Sequence, residues 1–583
     1  MSTDDDQRKI LNSSAVMAAG TLFSRLSGFL RSALLVVVLG NLLHADIYNL
    51  ANTVPNMLYI LLAGGIFNAV LVPQLVRTMK ADADGGAAYA NRVVTLAALF
   101  LGTVTVLLVI AAPWVMSVFL DSSWDSAALA GQRESLVTIA RYCLPQVFFY
   151  GMFVLVGQIL NARGTFGPMM WAPIANNVIS ILVLGLYLVT FGPAAKICSE
   201  LYDGPAAPVD SVLSAYTPGR EALLGLGSTL GIAAQFVILL PYLRKAGFRF
   251  SPRFDFRDTG LGHTLRLGAW TVAFVIVNQI AYTVVVRLAS SGTASAAAEC
   301  AAPATQGTGY TIYSNSFLLA MVPHSIITVS LATAILPTLS ARAADGDLVG
   351  LGRTLSRTLR NALAVMIPFA LCLAVIAPFL AKVVWGLGAG SDSYQLYVPT
   401  LTLFAVAIVC FTVHYLMLRG FYALELNRTV FFVQCAIATT NIVVAIVLVR
   451  ATSAQHTAPA LVCAYLSAYA LGAAVSYAWL RRLVGGLQTR ETIRFLVRAL
   501  IAASIAAASA YLVLQLCDAL LPERPNWFVA VAVVAVVGLL DVLVFVGLAK
   551  AMRLDEVTSV VETVTGRLGP TMAIGSRRSP RKG

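Results

Sequence analysis

Arg25 and Arg31 stand six positions apart inside the apolar run SRLSGFLRSALLVVVLG. On a helix that spacing separates two guanidiniums by about 9 Å along the axis. A span beginning near residue 14 places Arg25 about eleven residues in, roughly 17 Å below the membrane surface. An ionised side chain at that depth costs from about 2.5 to well over 10 kcal/mol, so it has a wet cavity or an anionic partner to meet. The chemistry on offer is charge-assisted hydrogen bonding to an anion rather than bond breaking. Asp46 opens the next apolar segment and is the counter-charge nearest in sequence to Arg31; an Arg31–Asp46 ion pair that pins the fold is the structural alternative. Asn49, Asn52 and Asn56 follow at helical spacing, Asn278, Gln279 and Arg287 share a later apolar segment, and Arg419 ends another. The candidate ligand-binding residues are Arg25, Arg31, Asp46, Asn52, Gln279 and Arg287, converging on a path for an anionic, hydrogen-bonding ligand.

Catalytic constellations are missing. The chain has no G-x-x-x-x-G-K, no H-E-x-x-H and no G-x-S-x-G, and its five histidines have no metal-ligand spacing. No enzyme activity, cofactor or metal is therefore expected. The net charge of +13 is spread thinly between apolar stretches, which reads as membrane topology and not as a nucleic-acid surface.

The elements that must hold these residues are membrane helices. Of the 583 residues 58% are apolar and 11% charged, 40 basic and 27 acidic. A soluble chain of this length would carry roughly 146 charges, so most of this surface faces lipid. A spanning helix needs about 20 mostly apolar residues, and about fourteen such stretches occur, near 14–40, 46–76, 93–119, 135–161, 167–191, 221–243, 265–289, 309–339, 359–385, 394–421, 429–450, 459–480, 493–517 and 527–549. Pro55 and Pro323 predict bends in the two long segments that contain them. Most Lys and Arg gather on one face, in stretches such as RTMKADADGGAAYANR, LRKAGFRFSPRFDFRD and RRLVGGLQTRETIR, which places both termini in the cytoplasm. Cys198 and Cys300 then lie in outer loops, either as two free thiols or as one bridge. The tail, 556–583, is short and basic.

A faint internal repeat is present. Pro337 in TAILPTL follows Pro73 in NAVLVPQL by 264 positions, and Asn441 follows Asn177 by the same 264. An even number of spans lies between the copies, so the fold class is an all-α integral membrane protein with two parallel six-helix halves and two extra C-terminal helices. The expected organisation is 1–250 and 251–485 as two lobes, 486–555 as the added helices, and 556–583 as a cytoplasmic tail.

The stretches SRLSGFLR, ADIYNLANTVPN, LLAGGIFNAVLVPQL, QILNARGTFGPMMWAPIANN, VNQI and RGFYALELNRT, in this order, resemble the MurJ (MviN-type) lipid II flippases of the multidrug/oligosaccharidyl-lipid/polysaccharide exporter superfamily. The resemblance implies transport of undecaprenyl-pyrophosphate-linked peptidoglycan precursor, lipid II, from the inner to the outer leaflet of the bacterial plasma membrane. It implies that Arg25, Arg31 and Asp46 match the family's charges in the first two helices and Gln279 a polar position in the seventh. It also implies that 486–555 offers an apolar groove to the lipid tail. Where many members have arginines this sequence has Tyr59, Ile60 and Leu318, and Gly64 replaces an acidic residue; Arg287 is the proposed substitute cation. The alternatives are another exporter of the superfamily, for a polysaccharide carrier lipid or a cationic drug, and a non-transporting membrane scaffold. A drug antiporter should carry a carboxylate in its cavity.

Overall fold

The computed structural model describes residues 20, 23–61, 86–193, 216–255, 261–298, 307–521 and 526–558. Every regular element among them is helical. A bilayer core holds no water to satisfy a backbone N–H or C=O, so a chain this apolar closes its hydrogen bonds within each segment. Twelve helical stretches, from Ala87–Ile110 to Trp527–Ala551, are long and apolar enough to cross a membrane. The first two expected segments are represented by a helix over residues 23–39 and by the short helices Leu43–Ala51 and Thr53–Leu61.

Proline sets the breaks. Pro55 has no N–H to donate and its ring crowds the carbonyl of Ala51, four residues back; the segment accordingly parts at Asn52. Side chains take up the backbone there. Asn52 Nδ2 donates to Tyr48 O at 3.0 Å, Thr53 Oγ1 to Asn49 O at 3.0 Å, and Asn56 Nδ2 to Asn52 O at 2.8 Å. The bend expected at Pro323 takes the form of a π turn, His324–Thr328, between Tyr310–Pro323 and Val329–Ala344. The expected segment 93–119 is also two helices, Ala87–Ile110 and Ala112–Phe119, parted just ahead of Pro113.

The chain divides into two compact units. The first comprises Met1–Asn315, Val384–Leu396 and Gln434–Ala464. Within it Pro218–Val237 packs on Gly167–Phe191, and Leu261–Ala298 packs on Leu43–Ala51 and Thr53–Leu61. Tyr89, Phe153, Leu155, Ile159 and Phe248 form one of its cores. On the inner face expected from the basic loops, Arg92 pairs with Asp255 at 2.6 Å, and its hydrogen bonds hold the Asp255 carboxyl below the usual carboxylate range.

The second unit comprises Ser316–Val383, Tyr397–Val433 and Tyr465–Gly583. Its last two helices, Thr489–Leu520 and Trp527–Ala551, show how packing works without water. Ala499, Ala502, Ala503, Ala506, Ala507 and Ala510 are buried at three- and four-residue spacing, while Leu500, Ile501, Ile505 and Leu512 are exposed. Lipid is as apolar as leucine, so helices associate through small residues that let backbones approach, and the large side chains turn outward. Ala510 and Leu514 meet Ala530, Val533 and Val537, with Phe379 completing the cluster. Arg360 binds Glu556 at 2.8 Å and Glu491 at 3.6 Å, tying both ends of this helical pair to Leu348–Trp385.

Candidate functional site

A polar cavity of about 100 Å³ lies within the first unit. The helix over residues 23–39 supplies Arg31 and Ser32, and the broken segment supplies Tyr48, Asn49, Asn52 and Asn56. Gln146 and Tyr150 come from Gln146–Ala162, Asn176 and Ser180 from Gly167–Phe191, Ser228 from Pro218–Val237, and Asn315 from Tyr310–Pro323. Asn49, Asn52 and Asn56 stand three and four residues apart, the spacing that puts side chains on one helix face, and all three line this one space.

The neutral groups satisfy one another. Gln146 Nε2 donates to Asn52 Oδ1 at 3.1 Å, and Tyr150 OH donates to Asn56 Oδ1 at 3.2 Å. Tyr48 OH and Ser228 Oγ share a hydrogen bond of 2.6 Å, and Asn49 Nδ2 donates to Thr311 Oγ1 at 2.8 Å. Arg31 is different. It is the one ionised side chain in the described lining, it is half-buried, and its guanidinium makes no hydrogen bond or ion pair with a described residue. A planar fork of donors, framed by amides and hydroxyls already engaged and by no carboxylate, is suited to an oxyanion that accepts two hydrogen bonds at once. The space holds a phosphoryl-sized group, not a saccharide.

Of the six residues picked out in the sequence, the structure brings Arg31 and Asn52 to this cavity. Arg25 lies about 9 Å along the same helix and is exposed. Asp46 does not turn toward Arg31. It is fully buried, and its carboxylate accepts from Thr293 Oγ1 at 2.5 Å and from the backbone N–H groups of Tyr310 at 3.1 Å and Thr311 at 2.6 Å. The start of a helix exposes N–H groups without partners and carries a partial positive charge; Asp46 caps Tyr310–Pro323 from outside, and that demand overrides its closeness in sequence to Arg31. Gln279 Nε2 donates to Met57 O at 2.6 Å. Arg287 Nη1 donates to the carbonyls of Ser117 and Val118 at 2.9 and 3.2 Å, at the end of Ala112–Phe119 where carbonyls lack helical partners. Asp46, Gln279 and Arg287 thus join helices to one another, outside the cavity lining.

Sequence reasoning passed over Gln146, Tyr150, Asn176, Ser180, Ser228 and Asn315. Gln146 and Tyr150 are four apart, hence on one helix face, which was the available signal. Tyr59, at a position where the resemblance expects arginine, instead packs against the Tyr150 ring at 4.7 Å. Cys198, Cys300, Gly64 and the tail beyond residue 558 lie outside the described residues. Among the described residues no group of three or more His, Cys, Asp or Glu gathers as metal ligands would.

A family profile described as "Lipid II flippase MurJ" matches residues 35–524. A probable lipid II flippase MurJ of Vibrio cholerae serotype O1 is 26% identical over 439 residues, covering 72% of this chain and 74% of its own. Among solved structures, the inward closed conformation of a lipid II flippase MurJ superposes with a TM-score of 0.69 at 15% identity, covering 93% of this chain and 99% of that one. An inward-facing multidrug resistance MATE family transporter of the MOP superfamily gives 0.61 at 14% identity, covering 82% and 99%. At these identities the two structures speak for the fold.

Proposed function

Because the chain belongs to the lipid II flippase MurJ family, we propose that it carries lipid II, an undecaprenyl-pyrophosphate-linked disaccharide peptide, from the inner to the outer leaflet of the bacterial plasma membrane by alternating access, supplying cell wall synthesis. The observation that carries this reading is Arg31: a half-buried guanidinium with no acceptor among the described residues, set in a neutral polar cavity of about 100 Å³. Its fork takes the diphosphate, Asn52 and its neighbours border the anion, and Arg25, exposed about 9 Å along the same helix, attracts the anion from outside the cavity. The rest of the polar head stays outside a space this small, while the polyprenyl tail remains in hydrocarbon.

In this reading 1–250 and 251–485 are the two moving lobes and 486–555 guides the tail. The exposed Leu500, Ile501, Ile505 and Leu512 support a lipid-facing role for the last of these. The basic stretches counted in the sequence support cytoplasmic termini. A cation exporter would call for a carboxylate in the cavity wall, and the described lining has none.

The test is genetic. Expression in cells depleted of their own lipid II flippase should restore growth, and Arg31→Gln, present at wild-type level in the membrane, should abolish the rescue. A wild-type chain that inserts but does not rescue, or an Arg31→Gln chain that rescues fully, overturns the reading.

A further inference from the structure

The second unit contains a guanidinium that the Arg31 cavity does not use. Arg419 lies near the end of Tyr397–Ala423. Its guanidinium carbon stands 4.3 Å from the centre of the Tyr415 ring and 5.7 Å from that of Tyr422, four positions before it and three after, the spacing that puts side chains on one helix face. Its Nε is buried without an acceptor, and no hydrogen bond or ion pair joins the rest of its fork to a described residue. Two tyrosine rings therefore fix the plane of the cation while none of its donors is spent on a described residue.

His324 packs edge-on against the same Tyr415 ring, with centroids 5.0 Å apart. It opens the π turn that follows Pro323, a backbone irregularity found mostly at functional sites. Its Nδ1 is engaged with Thr412 Oγ1 at 2.9 Å. This contact can run in either direction; in the tautomer where the Thr412 hydroxyl donates to Nδ1, the ring hydrogen sits on Nε2, which makes no hydrogen bond to a described residue.

Charged donors withdrawn from water without an acceptor are costly, and a fixed guanidinium fork beside an imidazole N–H matches the oxygens of a phosphoryl group. We propose that Arg419 and His324 form a second anion site, separate from the Arg31 cavity, that takes a phosphate or diphosphate group. That group belongs either to a diphosphate-bearing lipid or to the head of an anionic phospholipid. The proposal concerns binding alone and stands or falls independently of whether the chain rescues flippase-depleted cells.

The experiment uses the full chain in nanodiscs of zwitterionic lipid, titrated with inorganic pyrophosphate by calorimetry. Arg31→Gln should retain one pyrophosphate site. Adding Arg419→Gln should weaken that remaining site at least tenfold, and adding His324→Gln should weaken it severalfold. Arg419→Lys, which keeps the charge but loses the fork and the ring stacking, should also bind more weakly than Arg31→Gln alone. Thermal unfolding of each variant serves as the folding control; if Arg419→Gln does not fold, Tyr415→Leu and His324→Gln carry the same comparison. Competition by farnesyl diphosphate identifies the diphosphate lipid as occupant, and competition by phosphatidylglycerol identifies the phospholipid head. An Arg31→Gln chain that binds no pyrophosphate, or a residual site indifferent to both Arg419→Gln and His324→Gln, overturns the proposal.

Discussion

Arg31 and Asp46 are opposite charges a few turns apart, and the fold gives them separate work. Arg31 keeps its donors unspent at the cavity wall, whereas Asp46 is consumed by Thr293 and by the N–H groups of Tyr310 and Thr311. This difference predicts different consequences of neutralising each. Asp46→Ala leaves two backbone donors and a hydroxyl buried without an acceptor, a loss of about 3–6 kcal/mol at 1–2 kcal/mol per orphaned group. Asp46→Asn keeps one acceptor oxygen and should cost about 1 kcal/mol. In both variants the pyrophosphate affinity of the purified chain should stay within about threefold of wild type, under 1 kcal/mol. Arg31→Gln should do the reverse, leaving unfolding in denaturant unchanged and weakening pyrophosphate at the cavity site alone about 10- to 100-fold, the range of a charged hydrogen-bond pair. An Asp46→Asn chain with normal stability and collapsed affinity would put Asp46 in the binding site after all.

Helices are legible in this sequence because the bilayer fixes their length, and their bends are legible because Pro55 and Pro323 remove a donor at a known place. Which side of each helix faces the protein is not legible in the same way. In a span such as Trp527–Ala551 large apolar side chains run all round, so their periodicity carries no mark of the buried face, which only Asp541 signals. That Arg31 and Asn52 line one cavity was readable in part, because charge and amide at depth must be accounted for. Ser228 and Ser180 were not, since a hydroxyl can turn back on its own helix at little cost. The partners of Asp46 and Arg287 were not legible, because both sit at helix ends, boundaries that sequence locates poorly. The alanine stripe of Thr489–Leu520 turns this blind spot into a prediction. Ala506→Leu inserts bulk where Ala506 is fully buried and should destabilise by about 1–3 kcal/mol. Ile505→Leu, one position earlier and exposed, should change stability by less than about 0.5 kcal/mol. Unfolding of both variants in mixed detergent decides it; equal effects would mean that the small residues do not set this contact.

At the scale of the whole molecule, charge and membrane potential act together. Basic residues outnumber acidic ones, 40 to 27, and most of them gather on the face that we assign to the cytoplasm. That orientation predicts that, in a chain whose native cysteines are serines, Gly346→Cys reacts with an impermeant maleimide only after permeabilisation, and Ser122→Cys reacts from outside. In the orientation and at the site we propose, a diphosphate lipid bound at Arg31 would travel from the negative to the positive side. The described lining offers one arginine and no carboxylate, so the cation offsets only part of the cargo's charge and the moving complex stays anionic. Each remaining elementary charge gains about 2.3 kcal/mol per 100 mV, which at 1.4 kcal/mol per decade is a bias of roughly 40-fold. Flipping in proteoliposomes should therefore slow when valinomycin and matched potassium dissipate an inside-negative potential, and recover when the potassium gradient is restored. A rate that is the same with and without the potential would require the cavity to neutralise its cargo completely, which one arginine does not do for a diphosphate.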